Sequence, residues 1–381
     1  MKRVTWIVLF AATMLAITSA ASAGQFEKAT YYKLGDQQEA FQVISAEFTH
    51  SGNLDLAVAD YPSGEVSILL GNGNGTFQKA LTFPVQAPVA LAAGDLDSDG
   101  NEDLVVIEYG GTGKSALDVF LGDGTGHFRK KATYTLGLES IFVVAADFNG
   151  DGRLDLAVTN KGDLNHEHGN VMVFFGKGDG TMGKPVVYKI PNSPYGLATG
   201  DLAGHGYFDL AVTEDTGNSV VVLLNDGAGK FRVDATYSMV GGVEATGVAI
   251  GDLNHDGKPD LVVADPDAGI DVLLNQRSGK FGKAILYPNC NSDGCGPGPF
   301  AVVIDDFNLD GNLDVAGVDD SQQMVLYYGK GNGKFDNAVP IYIWLGGGYS
   351  LAAGDFNNDH APDLAVAPNG ADYISVLLNT Q

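Results

Sequence analysis

Short acidic strings recur along the chain, and their residue types could bind a hard cation. Each follows the pattern Asp-x-Asn/Asp-x-Asp-Gly-x-x-Asp, with oxygen-bearing side chains at positions 1, 3, 5 and 9. This alternation points every second side chain inward, the glycine permits a sharp turn, and the backbone carbonyl at position 7 can add a ligand, so the all-oxygen set suits Ca²⁺. The predicted calcium ligands of the five most complete copies, with position 7 included for its carbonyl, are Asp95, Asp97, Asp99, Asn101 and Asp103; Asp147, Asn149, Asp151, Arg153 and Asp155; Asp252, Asn254, Asp256, Lys258 and Asp260; Asp306, Asn308, Asp310, Asn312 and Asp314; and Asp355, Asn357, Asp359, Ala361 and Asp363.

Turn formation is the alternative explanation for these strings, because Asp and Asn side chains bond readily to nearby backbone groups. Five copies with the same four positions filled favour calcium, since a turn needs only one or two of the carboxylates. The string begins like an EF-hand loop but lacks a carboxylate at position 12, so the Asp at position 9 is expected to close the ligand shell.

Two further copies of the string are degenerate, at residues 47–55 and 201–209. The first has Thr and Ser at positions 3 and 5, and the other has Ala203 and His205 there, so neither is expected to bind calcium tightly. In the last copy His360 replaces the turn glycine. We expect His360 to strain that loop while leaving its four ligand side chains in place.

The seven copies define a repeat with a period near 50 residues, starting at residues 47, 95, 147, 201, 252, 306 and 355. Each unit carries four short apolar segments that are rich in Val and Leu and bounded by Gly, Asn and Asp. Such segments are typical of strands and too short for helices. Glycines alternating with Asn or Asp between the third and fourth segments suit tight hairpin turns. The repeat therefore predicts an all-β fold, a seven-bladed β-propeller of four-stranded blades.

The two ends of the chain are expected to complete one blade together. The seventh unit stops after its third segment, and residues 24–29 match residues 75–80, which lead into the fourth segment of the first unit. We expect the N-terminal strand to complete the last blade, which would close the ring and remove its exposed edges.

With these motifs in place, the chain resembles the FG-GAP or VCBS repeat family, whose propellers include the head of integrin α subunits. The resemblance covers residues 24–381 and rests on a nine-residue acidic loop paired with strands at blade spacing. It implies a seven-bladed propeller with calcium in the hairpins between first and second strands, at the five complete loops. The first and fourth loops depart from the family pattern, and an integrin-like function is not implied because fold does not determine function.

Composition and charge restrict the classes of partner. The chain has 381 residues, with 47 acidic against 22 basic side chains and a formal net charge of −25. This charge repels a phosphate backbone, so we do not expect a nucleic-acid partner. A hydrophobic share of 45% with 18% charged residues is enough to bury a core.

The N-terminal residues indicate export. Residues 1–23 combine a short basic start, an apolar stretch and a small-residue cleavage site, which predicts a signal peptide and one propeller domain over residues 24–381. A membrane anchor is the alternative, but the apolar stretch is short for a span, and we expect no membrane insertion. The mature protein is thus expected to be secreted, extracellular or periplasmic. There Cys290 and Cys295 are predicted to form a disulfide that clips one loop, with two free thiols as the alternative.

Catalysis has weak support in the sequence. The chain has no Gly-x-Ser-x-Gly and no His-Glu-x-x-His motif. His166 and His168 lie in one inserted loop, which supplies too few ligands for a transition metal. Paired acids at residues 305–306 and 319–320 could suggest a hydrolase or lyase acting on polysaccharides, and this alternative stays open, as does a purely structural scaffold.

Binding is the preferred hypothesis, and its candidate surface is the face opposite the acidic loops. The second-to-third-strand and inter-blade loops vary most and are expected to lie there. Aromatic side chains in them could stack on sugars or anchor a protein, so a glycan or protein ligand is expected. Packing between blades is the alternative for each ring. The candidate ligand-binding residues are Tyr61, Tyr109, Tyr195, Trp344 and Tyr349.

Overall fold

The structure is a computed structural model that describes residues 25–34, 40–61, 63–111, 113–162, 169–242, 244–291, 294–319, 323–342, 348–368 and 371–381. Within these ranges the regular secondary structure is all β-strand. No helix there is long and apolar enough to cross a membrane. The predicted signal peptide at residues 1–23, Trp344 and the pair His166 and His168 lie outside the described residues.

Seven four-stranded antiparallel sheets follow one another along the chain. The strands of the first four sheets are β2 (Ala40–Ala46), β3 (Asp55–Asp60), β4 (Glu65–Leu69) and β5 (Leu81–Pro84); β6 (Pro88–Gly94), β7 (Asp103–Glu108), β8 (Lys114–Gly122) and β9 (Phe128–Leu138); β10 (Ser140–Ala146), β11 (Asp155–Asn160), β12 (Asn170–Phe174) and β13 (Val186–Lys189); and β14 (Pro194–Gly200), β15 (Asp209–Glu214), β16 (Ser219–Asn225) and β17 (Phe231–Ser238).

The remaining three sheets include the N-terminal strand, β1 (Thr30–Lys33). Their other strands are β18 (Val248–Gly251), β19 (Asp260–Asp265), β20 (Gly269–Leu273) and β23 (Ile285–Pro288); β26 (Ala301–Asp305), β27 (Asp314–Val318), β28 (Gln323–Tyr327) and β29 (Val339–Tyr342); and β30 (Gly348–Gly354), β31 (Asp363–Pro368) and β32 (Tyr373–Leu377). Two small hairpins complete the described strands: β21 (Asn275–Arg277) with β22 (Lys280–Phe281), and β24 (Cys290–Asn291) with β25 (Gly294–Cys295).

Burial along each blade explains its sequence pattern. All six residues of the second strand β11 are buried, because blades cover both of its faces. The outer strand β13 has mostly exposed residues, including Val186 and Val187. Apolar runs in the middle strands and mixed sequences at the outer edge are therefore both required by a radial stack of sheets.

The acidic loops also contribute to the core through position 2. The side chain there is an aromatic or a leucine that inserts beside the strands, where burial contributes about 1.5–3 kcal/mol each. All seven are at most 3% exposed: Phe48, Leu96, Phe148, Leu202, Leu253, Phe307 and Phe356.

The ring closes as the sequence predicts. Neighbouring inner strands contact one another in the order β2, β6, β10, β14, β18, β26 and β30, and β30 returns to β2. The last sheet is completed by β1, which pairs antiparallel with β32 from Thr30 opposite Val376 to Lys33 opposite Tyr373. Each blade thus packs between two others, and the expected closure by the N-terminal strand is confirmed.

Candidate functional site

The acidic loops share one face of the ring with the connections between third and fourth strands. Asp155, at position 9 of its loop, joins the two: Oδ2 accepts the N–H of Phe148 at 3.0 Å, and Oδ1 accepts the N–H of Gly176 at 2.8 Å. Gly176 lies between β12 and β13. We call this the acidic face.

The position-9 carboxylate makes equivalent bonds in all seven blades and is fully buried in each. Burial raises the pKa of Asp155 to about 6 and that of Asp314 to about 7, while the two backbone N–H groups oppose the shift. Asp55 and Asp209 keep these bonds although their loops have lost other ligands. The position-9 Asp therefore caps its loop in every blade, and its role as a calcium ligand stays a prediction.

Positions 1, 3 and 5 fold the loop around its own backbone. Asp147 Oδ2 accepts the N–H of Gly152 at 2.7 Å, and Asn149 Oδ1 accepts that of Asp151 at 2.9 Å. Asp151 Oδ1 accepts the N–H of Arg153 at 3.0 Å. Position 6 has a positive φ throughout, +73° at His360, so the expected strain at that residue is present.

The second loop is the best candidate for a cation. Carboxylate oxygens of Asp95, Asp97 and Asp99 lie within 4.8 Å of one another. Asp97 Oδ1 is buried without a hydrogen-bond partner. Burial and the neighbouring charge of Asp99 raise the pKa of Asp97. Calcium takes oxygen ligands at about 2.3–2.6 Å, so these three side chains fit a calcium ion. Asp103, also predicted as a ligand, accepts the N–H groups of Leu96 and Gly122.

Position 7 distinguishes two of the other complete loops from the second loop. The Arg153 guanidinium lies 3.4 Å from Asp151 Oδ2, and Lys258 Nζ lies 2.6 Å from Asp256 Oδ2. In these two loops a side-chain cation already partly neutralises the position-5 carboxylate. The second loop has the uncharged Asn101 at position 7.

The fourth loop is organised around an imidazole. His205 Nδ1 lies 3.4 Å from Asp201 Oδ1, and its Nε2 lies 3.7 Å from Asp209 Oδ1. One ring nitrogen and one oxygen of each carboxylate also lie within 4.8 Å of one another, so Asp201, His205 and Asp209 form a second group that could hold a metal ion. Two carboxylates with one imidazole suit a transition metal better than Ca²⁺, which prefers oxygen ligands, and weak calcium binding by this loop stays a prediction.

The start of each inner strand lies at the end of the ring opposite the acidic face. Ala40 at the start of β2 pairs with Asp60, whereas Ala46 at its end pairs with Asp55 of the acidic loop. The start of β2 is therefore far from the acidic face. The register of β2 shifts around Phe41, and equivalent shifts occur in β6, β10, β14 and β30. Such bulges re-aim a side chain, and in these five blades they direct one residue towards the axis.

That residue lies six positions before each acidic loop. The seven are Phe41, Val89, Ile141, Tyr195, Thr246, Phe300 and Tyr349. All except Thr246 line a cavity of about 230 Å³ at the axis, together with residues one position further on, among them Gln42, Phe142 and Ser350. The cavity shares lining residues with an axial channel of about 330 Å³. We call this opening, framed by the rings of Phe41, Phe142, Tyr195, Phe300 and Tyr349, the aromatic mouth.

The rings of the aromatic mouth form two groups. On one side Tyr349 lies between Phe41, at a centroid distance of 5.5 Å, and Phe300, at 6.0 Å. On the other side Phe142 and Tyr195 are 5.7 Å apart. Burial raises the pKa of the Tyr195 hydroxyl to about 12, so it is a neutral donor at physiological pH.

The aromatic candidates from the sequence divide accordingly. Tyr195 and Tyr349 line the cavity. Tyr61 and Tyr109 extend the ring series outward from Phe41, but they pack partly buried against the core between blades, as the alternative interpretation held. Sequence reasoning missed Phe41, Phe142 and Phe300, although Phe41 and Phe300 share with Tyr195 and Tyr349 a fixed spacing of six positions before the acidic loop.

The two cysteines lie opposite each other in a small hairpin. The backbones of β24 and β25 pair with Cys290 opposite Cys295. Directly opposed residues have Cα atoms about 4.5–5.5 Å apart, within the span of a disulfide. Their side chains are outside the described part of the structure, so the disulfide stays a prediction that the register permits.

Fold and loops together define a closed seven-bladed β-propeller with acidic hairpins on one face. Matches to the FG-GAP-like repeat family cover residues 47–106, 95–158, 147–212, 201–263, 252–316 and 306–366. The chain belongs to this family. Each match begins at the start of an acidic loop found in the sequence, including the two degenerate ones.

Solved propellers resemble the whole ring. An Agrocybe aegerita lectin studied for recognition of non-reducing terminal N-acetylglucosamine has 19% identity and a TM-score of 0.54, covering 87% of each chain. BBS1N, from a complex with ARL6DN, has 11% identity and a TM-score of 0.61, covering 93% of this chain and 98% of its own. The WD40 propeller of Doa1 has 11% identity and a TM-score of 0.60 with the same coverage. At these identities the likeness shows the fold alone, and curated proteins give no match.

Proposed function

We propose that the protein is a secreted, calcium-stabilised propeller that binds a glycan or protein ligand without transforming it. The aromatic mouth carries this proposal. Ligand sites are typically concave and apolar with a few placed polar groups, as this opening is. Among the described residues that line its cavity, none has a carboxylate, imidazole or thiol for acid, base or nucleophile chemistry. Binding is therefore better supported than hydrolysis.

Calcium is proposed as a structural ion of the complete loops. The supporting observation is the unpartnered, buried Oδ1 of Asp97 beside Asp95 and Asp99. An ion there would neutralise carboxylates that otherwise repel one another. The ion would also make the acidic face more rigid. Neighbouring blades are joined there by backbone hydrogen bonds, such as the one from Gly180 N–H to the Leu96 carbonyl at 3.1 Å.

Chelation tests the calcium proposal. Removing calcium from the purified protein should lower its melting temperature, because an ion that binds only the folded chain stabilises it by mass action. Replacing Asp147 and Asp151 together with Asn should reproduce part of that loss. The matched control is Asp201→Asn in the fourth loop, which should leave the calcium-dependent part unchanged. A melting temperature unaffected by chelator would reject calcium as a stabilising ion.

Export is testable by the N-terminal sequence of the protein recovered outside the cytoplasm. We expect it to begin at Gly24, after the small residues of the proposed cleavage site. Recovery only from the cytoplasm with residues 1–23 attached would reject this part of the proposal.

Ligand binding is tested on a broad glycan and polysaccharide array, with calcium and with chelator, and with released sugar measured in the same wells. Calcium-dependent retention without release is expected. The structural likeness to a lectin adds to the case for a glycan but is a likeness of fold. Release of sugar would reject the non-catalytic proposal. No binding to any glycan on the array would leave a protein as the proposed ligand.

A further inference from the structure

We infer that the aromatic mouth accepts one neutral sugar ring, presented at the end of a glycan, on the axis of the propeller. This inference rests on the proposed binding function and names its site and ligand class. The axial position gives one site per chain, in contrast to sites repeated between blades.

The repeated bulge is the first argument. An inner strand in regular register would place alternate side chains into the packing between blades. The shift around Phe41 in β2 and around Tyr349 in β30 instead aims these rings into the axial opening. Bulges are typical of positions where a side chain is re-aimed for function. Five blades share the feature, so the mouth is a built element of the repeat.

The size of the opening favours a single ring. Pockets for drug-sized ligands usually measure about 300–1,000 Å³, and this cavity is about 230 Å³. One six-membered sugar ring has a volume that suits this cavity, whereas a polysaccharide segment of several rings is too large for it. The two ring groups, Phe41 with Tyr349 and Phe142 with Tyr195, lie on different sides of the cavity and provide aromatic surface for the apolar face of a sugar.

Polar groups in the mouth match a hydroxylated ligand. Gln42 Oε1 accepts the N–H of Leu91 at 2.5 Å, which leaves the amide nitrogen of Gln42 to donate to a ligand. Ser350 Oγ also lines the cavity; it accepts the N–H of Val43 at 3.3 Å and donates to the Val43 carbonyl at 3.5 Å, which leaves one lone pair to accept from a ligand. A hydrocarbon ligand would leave the Gln42 amide nitrogen without a partner, at a cost of about 1–3 kcal/mol. Sugar oxygens supply acceptors and donors at the same place.

Charge excludes an acidic sugar. No charged side chain is among the described residues that line the cavity. The neighbouring cation, Lys161, lies 4.5 Å from the centre of the Tyr195 ring and pairs with Asp215. A uronic acid or sulfated sugar would thus enter without a free counter-ion, against a protein of net charge −25.

The test uses calorimetric titration of the full chain with paired sugars: glucose against glucuronic acid, and N-acetylglucosamine against its 6-sulfate. We expect a neutral member to bind with a stoichiometry of one, and its acidic partner to bind at least about tenfold more weakly, or not at all. Tyr349→Ala should weaken binding by about tenfold or more, as expected for a ring at the centre of a site. Tyr349 is 37% exposed, so this variant should fold. Phe142→Ala, on the other side of the cavity, should give the same loss.

The matched control is Tyr207→Ala, which removes a ring that is 43% exposed on the acidic face. It should leave binding unchanged. If the array retains glycans but neither mouth variant weakens binding, this inference is wrong while the proposed function stands. Preference for the acidic sugars, or binding of choline with no sugar binding, would also overturn it. If no glycan binds at all, the inference fails together with the glycan part of the proposed function.

Discussion

Loss of the position-9 cap should destabilise a blade even where no calcium is expected. Asp209 of the fourth blade is fully buried, and its two oxygens accept the N–H groups of Asn225 at 2.8 Å and Ala203 at 3.0 Å. Hydrogen bonds to a charged acceptor contribute about 1.5–3 kcal/mol each, and their loss leaves two buried donors unpaired. The burial that raises the pKa of Asp209 shows that ionising it there is costly, which offsets part of this gain. We therefore expect Asp209→Ala to lower the free energy of unfolding by about 3 kcal/mol.

The assay is urea unfolding followed by circular dichroism, in chelator. Asp209→Asn should lose less than Asp209→Ala, because its amide oxygen keeps one acceptor. Asp155→Ala in the third blade should lose a similar amount in chelator, since each cap accepts one N–H from its own loop and one from the connection between third and fourth strands. A loss for Asp155→Ala that grows when calcium is added would show that Asp155 is also a ligand. If Asp209→Ala stays within about 0.5 kcal/mol of the wild type, the range of neutral surface substitutions, the structural cap is refuted.

Two other substitutions test local features of the loops and strands. His360 has φ +73° and a side chain that is 95% exposed, so His360→Gly should stabilise the chain by about 1 kcal/mol by removing left-handed strain. Gly311→His is the reverse substitution at a site where an added Cβ meets nothing within 4 Å, and it should destabilise the chain by a similar amount. Unchanged urea midpoints for both variants would contradict the strain argument. Burial raises the pKa of Asp60 from 3.8 to about 7, which exceeds the opposing effect of its bond to Ser67. The folded chain then holds a proton that the unfolded chain releases, so stability falls as the pH rises from about 4 to about 7. Asp60→Asn should flatten that part of the stability profile and raise stability above pH 7; a profile equal to wild type would show that Asp60 titrates normally.

Spacing along the chain was enough to predict the propeller. Seven acidic strings at a period near 50 residues indicated seven blades, and the match between residues 24–29 and 75–80 predicted how the last blade closes. The structure bears this out through the pairing of β1 with β32 and the equivalent bridges Phe26 to Asn379 and Gly71 to Phe77. These features are local or repeated, so a single sequence records them.

The role of individual carboxylates could not be predicted from the pattern. The spacing predicts a calcium ligand at position 9, but it does not reveal the backbone groups that bond to this side chain. In the structure Asp155 is tied to Gly176, which lies beyond β12, and Asp209 makes the equivalent bonds in a degenerate loop. A contact between a loop and a different hairpin depends on the three-dimensional stacking of strands, and the string of one loop does not contain it.

By itself the sequence determined the class of fold, the number of blades, the face on which the acidic loops lie, and which loops depart from the acidic pattern, because each follows from residue type and period. Tertiary structure alone decided what meets on the axis. Phe41 and Tyr349 are 308 positions apart in the chain, yet their rings lie 5.5 Å apart once the ring closes. Their common orientation comes from bulges in the inner strands, and a bulge depends on the register between strands, which no side chain encodes alone.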